Sequence, residues 1–459
     1  MGSAPVKTVL FKMSIPVILS MMLQAAYNIV DSMFVANMPD YGGIANAGEQ
    51  AVNALTLAFP VQMLFVAFGI GTGVGMGAVL SRVLGAGKKE EAAQAAGNGI
   101  FLAIVMYVVF FLFGLFGVDA YINMQTSNKI ISEMAGSYLR ICTLLCAGNI
   151  LFGIFEKMLQ STGKTVLSTT AQVLGALTNV VLDPILIYGL FGLPAMGIKG
   201  AAIATVIGQF VSLFVAMYLQ FTRNKEIENG LIYLKPDLDV FKKIYSIGFP
   251  AIIMQALMSF MTFAVNMIFV NVSESAVTAY GIFYKVQQFI YFAGFGIRDS
   301  ITPLVAYNYG MGSKKRVNEG IKYGLIYITV IMVIGVLIME FGGVSLARVF
   351  NLADYTEVLC VRAMRIIAVG FVFAGINIAL QGVFQAMEAG LNSLIISVLR
   401  LFLIPLPLAI LFSKLPNADF MIWTAFPAGE IVAAVAALIL LAVLRKKKGL
   451  ASQNLDMAA

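Results

Sequence analysis

Apolar runs recur along the whole chain, separated by short polar loops. Many of them reach the roughly 20 residues that a helix needs to cross a hydrocarbon core. The runs at 10–36, 52–84, 92–117, 133–159, 166–190, 199–221, 243–270, 277–309, 317–342, 357–386, 391–412 and 421–444 predict twelve membrane-spanning helices. Ten-residue units of alternating apolar and polar character are absent, which argues against a barrel. The first run contains Pro16, Gln24, Asn28 and Asp31, and no small-residue cleavage site follows it. It therefore reads as a retained span and not as a signal peptide. The longest polar connection, TRNKEIENGLIYLKPDLDVFKK, separates spans six and seven.

The segments on either side of that connection repeat each other. VLSRVLGAGKK, ending at Lys89, matches LVAYNYGMGSKK, ending at Lys315, with Gly85 on Gly310 at an offset of 225. The same offset carries Gln62 to Gln287, Gly69 to Gly294, Gly71 to Gly296, Gly87 to Gly312, Gly99 to Gly324, Arg140 to Arg365 and Gln160 to Gln385. One register held this long indicates a duplicated unit. The expected organisation is an N-lobe over 1–222 with helices 1–6, a cytoplasmic linker over 223–242, a C-lobe over 243–445 with helices 7–12, and a cytoplasmic tail over 446–459. Both repeated loops, 82–91 and 307–316, are basic, so the halves share one orientation and each holds an even number of spans.

Composition makes the membrane reading firm and narrows the chemistry. Of 459 residues 60% are hydrophobic and only 12% charged, with a mean hydropathy of +0.91. A lipid bilayer is thus the expected partner, and there is little room for an extramembrane enzyme. The net charge of +7 sits in particular loops: Arg82, Lys88 and Lys89; Lys157 and Lys164; Arg223 to Lys243; Lys314 to Arg316; and Arg445 to Lys448. Loops after odd-numbered spans carry fewer basic residues and include Asp40, Glu49, Asp119 and Glu274. This asymmetry predicts both termini on the cytoplasmic side of a multi-pass plasma-membrane protein and gives no support to a nucleic-acid partner. Cys142, Cys146 and Cys360 lie in apolar segments without metal-ligand spacing, and the absence of histidine excludes imidazole relays.

The carboxylates inside spans carry the strongest functional signal, because a charge at the bilayer centre must be compensated. Gln24, Asn28 and Asp31 follow at spacings of four and three on one helix face. Asn179 and Asp183 stand one turn apart in LTNVVLDPILIYG, and Pro184, lacking an N–H, leaves a carbonyl near Val180 without its helical partner. Two carboxylates, amide oxygens and a freed carbonyl make an oxygen-rich pocket suited to Na⁺ or a proton. If the two carboxyls lie close together, one holds a proton at neutral pH, since like charges at low dielectric do not both ionise. The competing reading is that they are structural clips between helices. GIGTGVGMGA, with Gly69, Gly73 and Gly77 at four-residue spacing, reads as a close-packing helix face. It lacks the Lys-Ser or Lys-Thr end of a phosphate loop.

SIPVILSMMLQAAYNIVDSMFVA, VLGAGKKEEA, NVVLDPILIYG followed by MGIKGAAIATVIGQ, and PLVAYNYGMG together resemble the multidrug and toxic compound extrusion (MATE) family over essentially the whole chain. The resemblance, closest to the DinF-like bacterial and archaeal branch, implies an all-α integral membrane protein. Its fold would have about twelve transmembrane helices in two parallel-repeat six-helix bundles arranged as a V. It implies alternating access and export of amphipathic or cationic organic molecules against H⁺ or Na⁺, with no other cofactor and a monomer as the working form. It places the first-lobe cation site, including a possible Na⁺, on Asp31, Asn179, Asp183 and Thr205, adding Thr205 of GAAIAT to the residues singled out above. Gln24 and Asn28 are expected as a supporting polar face.

The second half departs from part of the family: Asn266 or Val265 stands at the repeat position of Asp31, so coupling through that lobe is not expected. Charges appear there as Arg298, Asp299 and Arg400. Adjacent helical residues point about 100° apart, so Arg298 and Asp299 are not each other's natural partner, and Arg400 is one candidate partner of Asp299; the competing reading of these charges is a buried network that fixes helix packing. With Met254, Met258, Met261, Tyr284 and Gln287 these charges are expected to line a substrate cavity, joined by Phe263, Met267, Phe283 and Tyr291. Flexible thioethers and aromatics suit promiscuous binding. A lipid-linked precursor flippase of the same architecture is the alternative function, and a receptor or channel without coupled transport is a third.

Overall fold

The computed structural model describes residues 1–40, 46–228, 230–348, 350 and 353–450. Among these the chain is helical throughout, without strands. The first repeat gives α1 (Val6–Ala36), α2 (Ala47–Gly85), α3 (Lys89–Phe116), a short α4 (Val118–Asn123), α5 (Lys129–Leu144), α6 (Ala147–Ser161), α7 (Thr165–Tyr188) and α8 (Ile198–Arg223). The second gives α9 (Leu238–Val270), α10 (Glu274–Gly310), α11 (Lys314–Arg348), α12 (Asp354–Ala368), α13 (Phe371–Ala386), α14 (Gly390–Val398), α15 (Pro405–Phe412), a short α16 (Ala418–Met421) and α17 (Ala425–Lys447). Side-chain caps start several of them: Asn128 accepts from the N–H of Ile130 at 3.0 Å before α5, Asp237 from that of Asp239 at 2.8 Å before α9, and Ser273 from that of Ala276 at 3.0 Å before α10.

Among the described residues nine helical segments are long and apolar enough to cross a membrane, or eleven when each of two bent pairs counts as one span. The pairs are α5 with α6, bent by 44°, and α12 with α13, bent by 53°. These are the expected fourth and tenth spans, so the bend is itself repeated. α10 completes the expected series of twelve: it is 37 residues long but more polar, carrying Lys285, Arg298 and Asp299. The expected eleventh span is interrupted by a π-turn, Leu399–Leu403, between α14 and α15. Part of the expected tail, 451–459, lies outside the described residues.

Two compact units emerge, and they are not the contiguous halves expected at 1–222 and 243–445. The N-terminal unit is Leu19–Ile252; the C-terminal unit is Met1–Ile18 together with the chain from Ile253 on. Both boundaries fall two residues after a helix-interior proline, Pro16 in α1 and Pro250 in α9, so each of these helices begins in one unit and continues in the other. The physical reason is close packing at repeated glycines. In the N-terminal unit a Cβ on Gly71 would lie 2.8 Å from the nitrogen of Ile252, while in the C-terminal unit a Cβ on Gly296 would lie 2.9 Å from that of Ile18. Gly71 and Gly296 are repeat counterparts, and each admits the start of the other repeat's first helix.

Within the N-terminal unit α2 is the central helix. Its glycines serve two neighbours: Gly73 and Gly77 face Lys157 and Ser161 of α6, while Gly71 and Gly75 face Ile244, Gly248 and Ile252 of α9. The run GIGTGVGMGA is thus a packing surface, as its spacing indicated. α7 lies along α8, where Gly175 and Gly208 let the backbones approach.

Candidate functional site

The pocket residues converge where α1, α7 and α8 meet in the N-terminal unit. The Ser20 hydroxyl donates to the Gln172 side-chain oxygen, and Gln172 Nε2 donates to Gln24 Oε1 at 3.0 Å, which stitches α1 to α7. Toward the other end the Tyr188 hydroxyl donates to the carbonyl of Phe34 at 2.9 Å. Asp31 lies between these two fastenings. Asp183 is fully buried and Asn179 nearly so, while Asp31 and Thr205 are half-buried.

Asn179 Nδ2 donates to Asp183 Oδ1 at 3.3 Å and lies 3.4 Å from Thr205 Oγ1, and the carboxyls of Asp31 and Asp183 are within hydrogen-bonding reach of each other. Three oxygens of this cluster, Asp31 Oδ1, Asp183 Oδ2 and Asn179 Oδ1, are buried without any hydrogen-bond donor. Buried acceptors are normally satisfied, so three orphans in one cluster mark a place that a cation or proton fits. The donor set is hard oxygen, which suits Na⁺ or H⁺ rather than a soft transition metal. Among the described residues no three His, Cys, Asp or Glu side chains converge as a metal cluster. Pro184 remains inside α7, so the carbonyl of Val180 has no proline N–H to accept from.

Of the expected supporting face, Gln24 takes part through Gln172, whereas Asn28 is exposed and no described side-chain hydrogen bond ties it to the cluster. Residues not singled out from sequence surround the carboxylates. Tyr27, one turn before Asp31, lies within electrostatic reach of both acids. Tyr138 of α5 lies within reach of Asp31 and accepts from Gln62 Nε2 at 3.2 Å. The Tyr27 spacing was visible in the sequence; the Gln62 and Tyr138 pairing between α2 and α5 was not.

In the C-terminal unit two expectations are overturned. Arg298 and Asp299 do pair: Arg298 Nε lies 2.9 Å and Nη2 2.8 Å from Asp299 Oδ1. The 100° between neighbouring Cβ atoms is bridged by the length of the arginine arm, which curls back with its guanidinium 4.8 Å from the Phe295 ring centre. Arg400 does not reach Asp299; it is buried against Glu430, with Nε 3.0 Å from both carboxylate oxygens and Nη2 2.5 Å from Oε1. Glu430 also accepts from Asn377 Nδ2 at 2.8 Å. The guanidinium of Arg400 is thus buried and engaged by a carboxylate. Of the other expected lining residues, Met254 and Met261 are buried, Met258, Tyr284 and Gln287 are half-buried, and Tyr284 packs on Tyr280 at 5.9 Å between ring centres.

Comparison with known proteins supplies the identity. The MatE family model matches residues 16–185 and 250–411, which is most of the chain and both repeats. The chain is 25% identical over 436 residues to the multidrug export protein MepA of Staphylococcus saprophyticus, covering 95% of this chain and 93% of that one. It is also 25% identical over 446 residues to MepA of Staphylococcus aureus, covering 97% and 95%. Among solved structures, an outward-facing multidrug resistance MATE family transporter of the MOP superfamily superposes with a TM-score of 0.88 at 24% identity, covering 96% of this chain and 97% of that one. A MOP superfamily transporter from Pyrococcus furiosus, described as having a binding pocket of reverse polarity, gives 0.87 at 23%, covering 97% and 96%. These likenesses show the fold, and with the family match over both repeats the chain belongs to the MatE family of membrane transporters.

Proposed function

We propose that this transporter exports amphipathic or cationic small organic molecules and couples their exit to entry of H⁺ or Na⁺ through the pocket of Asp31, Asn179, Asp183 and Thr205. The observation that carries the reading is the group of three buried, donorless oxygens on Asp31, Asp183 and Asn179. Such a cluster is costly when empty and is relieved by a proton or a small hard cation, so its affinity for that cation can drive a change of state. Alternating access follows as the mechanism: the cation enters from outside, and substrate and cation occupy the protein in turn. In this reading the protein sits in the plasma membrane with both termini in the cytoplasm, a sidedness that the basic loops support. Export of multiple drugs by the MepA relatives supports the substrate class.

The flippase alternative is not favoured. A polyprenyl pyrophosphate needs free cationic groups in the cavity, and the two arginines considered for that role are each paired with a carboxylate, Arg298 with Asp299 and Arg400 with Glu430.

The test is efflux of a cationic dye such as ethidium from proteoliposomes under separately imposed pH and Na⁺ gradients. Asp31→Asn and Asp183→Asn each abolish gradient-driven efflux while the protein still purifies as a monodisperse species. Full transport by both variants would remove the coupling role.

A further inference from the structure

The exchanged helix ends fix how the repeats correspond. Since Gly71 meets Ile252 and Gly296 meets Ile18, Pro16 and Pro250 are counterparts. Asp31, fifteen residues after the first proline, therefore corresponds to Val265, fifteen after the second. On the last helix of each repeat the 225-residue offset carries Thr205 onto Glu430. The buried faces agree with it: Gly200, Ala202, Ala204, Gly208 and Ser212 of α8 match Ala425, Pro427, Gly429, Ala433 and Ala437 of α17. Pro184 in α7 has its counterpart in Pro405, the first residue of α15, so Asn179 and Arg400, each five residues earlier, occupy equivalent places.

Asp31, Asn179, Asp183 and Thr205 thus have Val265, Arg400, Ile404 and Glu430 as counterparts. The same helix junction is bridged in both units, by Asn179 to Thr205 at 3.4 Å in one and by Arg400 to Glu430 at 2.5 Å in the other. The chemistry differs. The N-terminal unit presents oxygens without donors. In the C-terminal unit both carboxylate oxygens of Glu430 accept from Arg400, one also from Asn377, and the guanidinium lies 5.8 Å from the Tyr291 ring centre. A guanidinium keeps its proton under all physiological conditions. The π-turn at Leu399–Leu403 holds Arg400 in this place, and such turns recur at functional positions.

We propose that Arg400 is a tethered cation, occupying in the C-terminal unit the place that an exchangeable cation takes in the N-terminal unit. Each transport cycle then exchanges its coupling ion at one site. The inference rests on the reading of the Asp31 and Asp183 pocket as a cation site, and the experiment separates the two. Proton uptake by the purified full-length protein is measured as a difference titration between pH 8 and pH 5 for each variant, alongside the pH profile of ethidium efflux.

With Na⁺ excluded from the buffers, Asp183→Asn takes up one proton fewer than the wild type; no change would sink the pocket reading whatever happens at Glu430. Glu430→Gln and the double variant Arg400→Met with Glu430→Gln take up as many protons as the wild type, and the double variant keeps the wild-type pH profile. Arg400→Met alone takes up one proton more, because a buried carboxylate stripped of its partner neutralises itself. Breaking one side of a buried pair is strongly destabilising, so if Arg400→Met does not accumulate, the double variant, which leaves no unpaired charge, decides the matter. Loss of one proton or of the pH profile in the double variant overturns the proposal.

Discussion

At the scale of single residues, the proposed cation pocket is built from places where the chain departs from an apolar membrane protein. Asp31, Asn179 and Asp183 were legible because a carboxylate in an apolar run has no inexpensive explanation. Thr205 was legible only through family resemblance, since a threonine on a membrane helix ordinarily satisfies itself on the backbone one turn back. Glu430 obeys the same rule as Asp183 and stands alone in AFPAGEIVAA, yet its importance lies in its partner, and spacing along one helix does not say which helix faces it. The partner of Arg400 was misassigned for this reason. Thr205 also offers a sharp test. Thr205→Val keeps the shape and removes one oxygen from the pocket, so the H⁺ or Na⁺ concentration that half-saturates transport rises about tenfold with little change in maximal rate, as expected for losing one polar ligand interaction. Proteoliposome efflux against a series of cation concentrations measures this, and an unchanged half-saturation would exclude Thr205 from the site.

At the scale of helices, eight of the twelve expected runs were legible as single helices in the right places because each apolar run had to close its own backbone hydrogen bonds. Breaks within spans were not legible. The bends between α5 and α6 and between α12 and α13 interrupt neither hydropathy nor length, and only the structure places them at 44° and 53°. The glycine ladder of α2 was read correctly as packing, but its two-sidedness depends on α9 entering the N-terminal unit. Gly75 tests that arrangement. A Cβ there would overlap the carbonyl oxygen of Ile244, whereas a Cβ on Gly281 in α10 meets nothing within 4 Å. Gly75→Ala is expected to destabilise the protein by about 1–3 kcal/mol through overpacking. Gly281→Ala is neutral or stabilises by about 0.4–1 kcal/mol by removing unfolded-state freedom. Thermal unfolding midpoints in detergent compare the two, and equal midpoints would contradict the close approach of α9.

At the scale of the whole molecule, the duplication was legible but the exchange of ends was not. The 225-residue register reports which residues are equivalent, whereas membership of a unit is decided by which glycine accepts which helix. The exchanged segments are held by polar contacts as well. In the C-terminal unit Arg316 Nη2 donates to the carbonyls of Met1 at 2.7 Å and Ala4 at 2.8 Å, and the Tyr327 hydroxyl donates to that of Lys7 at 3.1 Å. In the N-terminal unit Asn98 Oδ1 accepts from the N–H of Asp237 at 2.8 Å, and Phe101 stacks on Phe241 at 5.8 Å. A chain cut in the polar connection at Lys225–Glu226 therefore yields two fragments, each lacking a segment that its own unit packs around. The N-terminal fragment lacks the first part of α9 that fills the face of Gly71 and Gly75, and the C-terminal fragment lacks the first part of α1 that fills the face of Gly296. Each fragment expressed alone is expected to be degraded or to aggregate, because a packed membrane interface left open exposes small residues with nothing against them. Co-expression restores a complex that co-purifies in detergent and transports ethidium. Recovery of either fragment alone as a stable, monodisperse species would show that the units fold as contiguous halves and that the exchanged ends are dispensable.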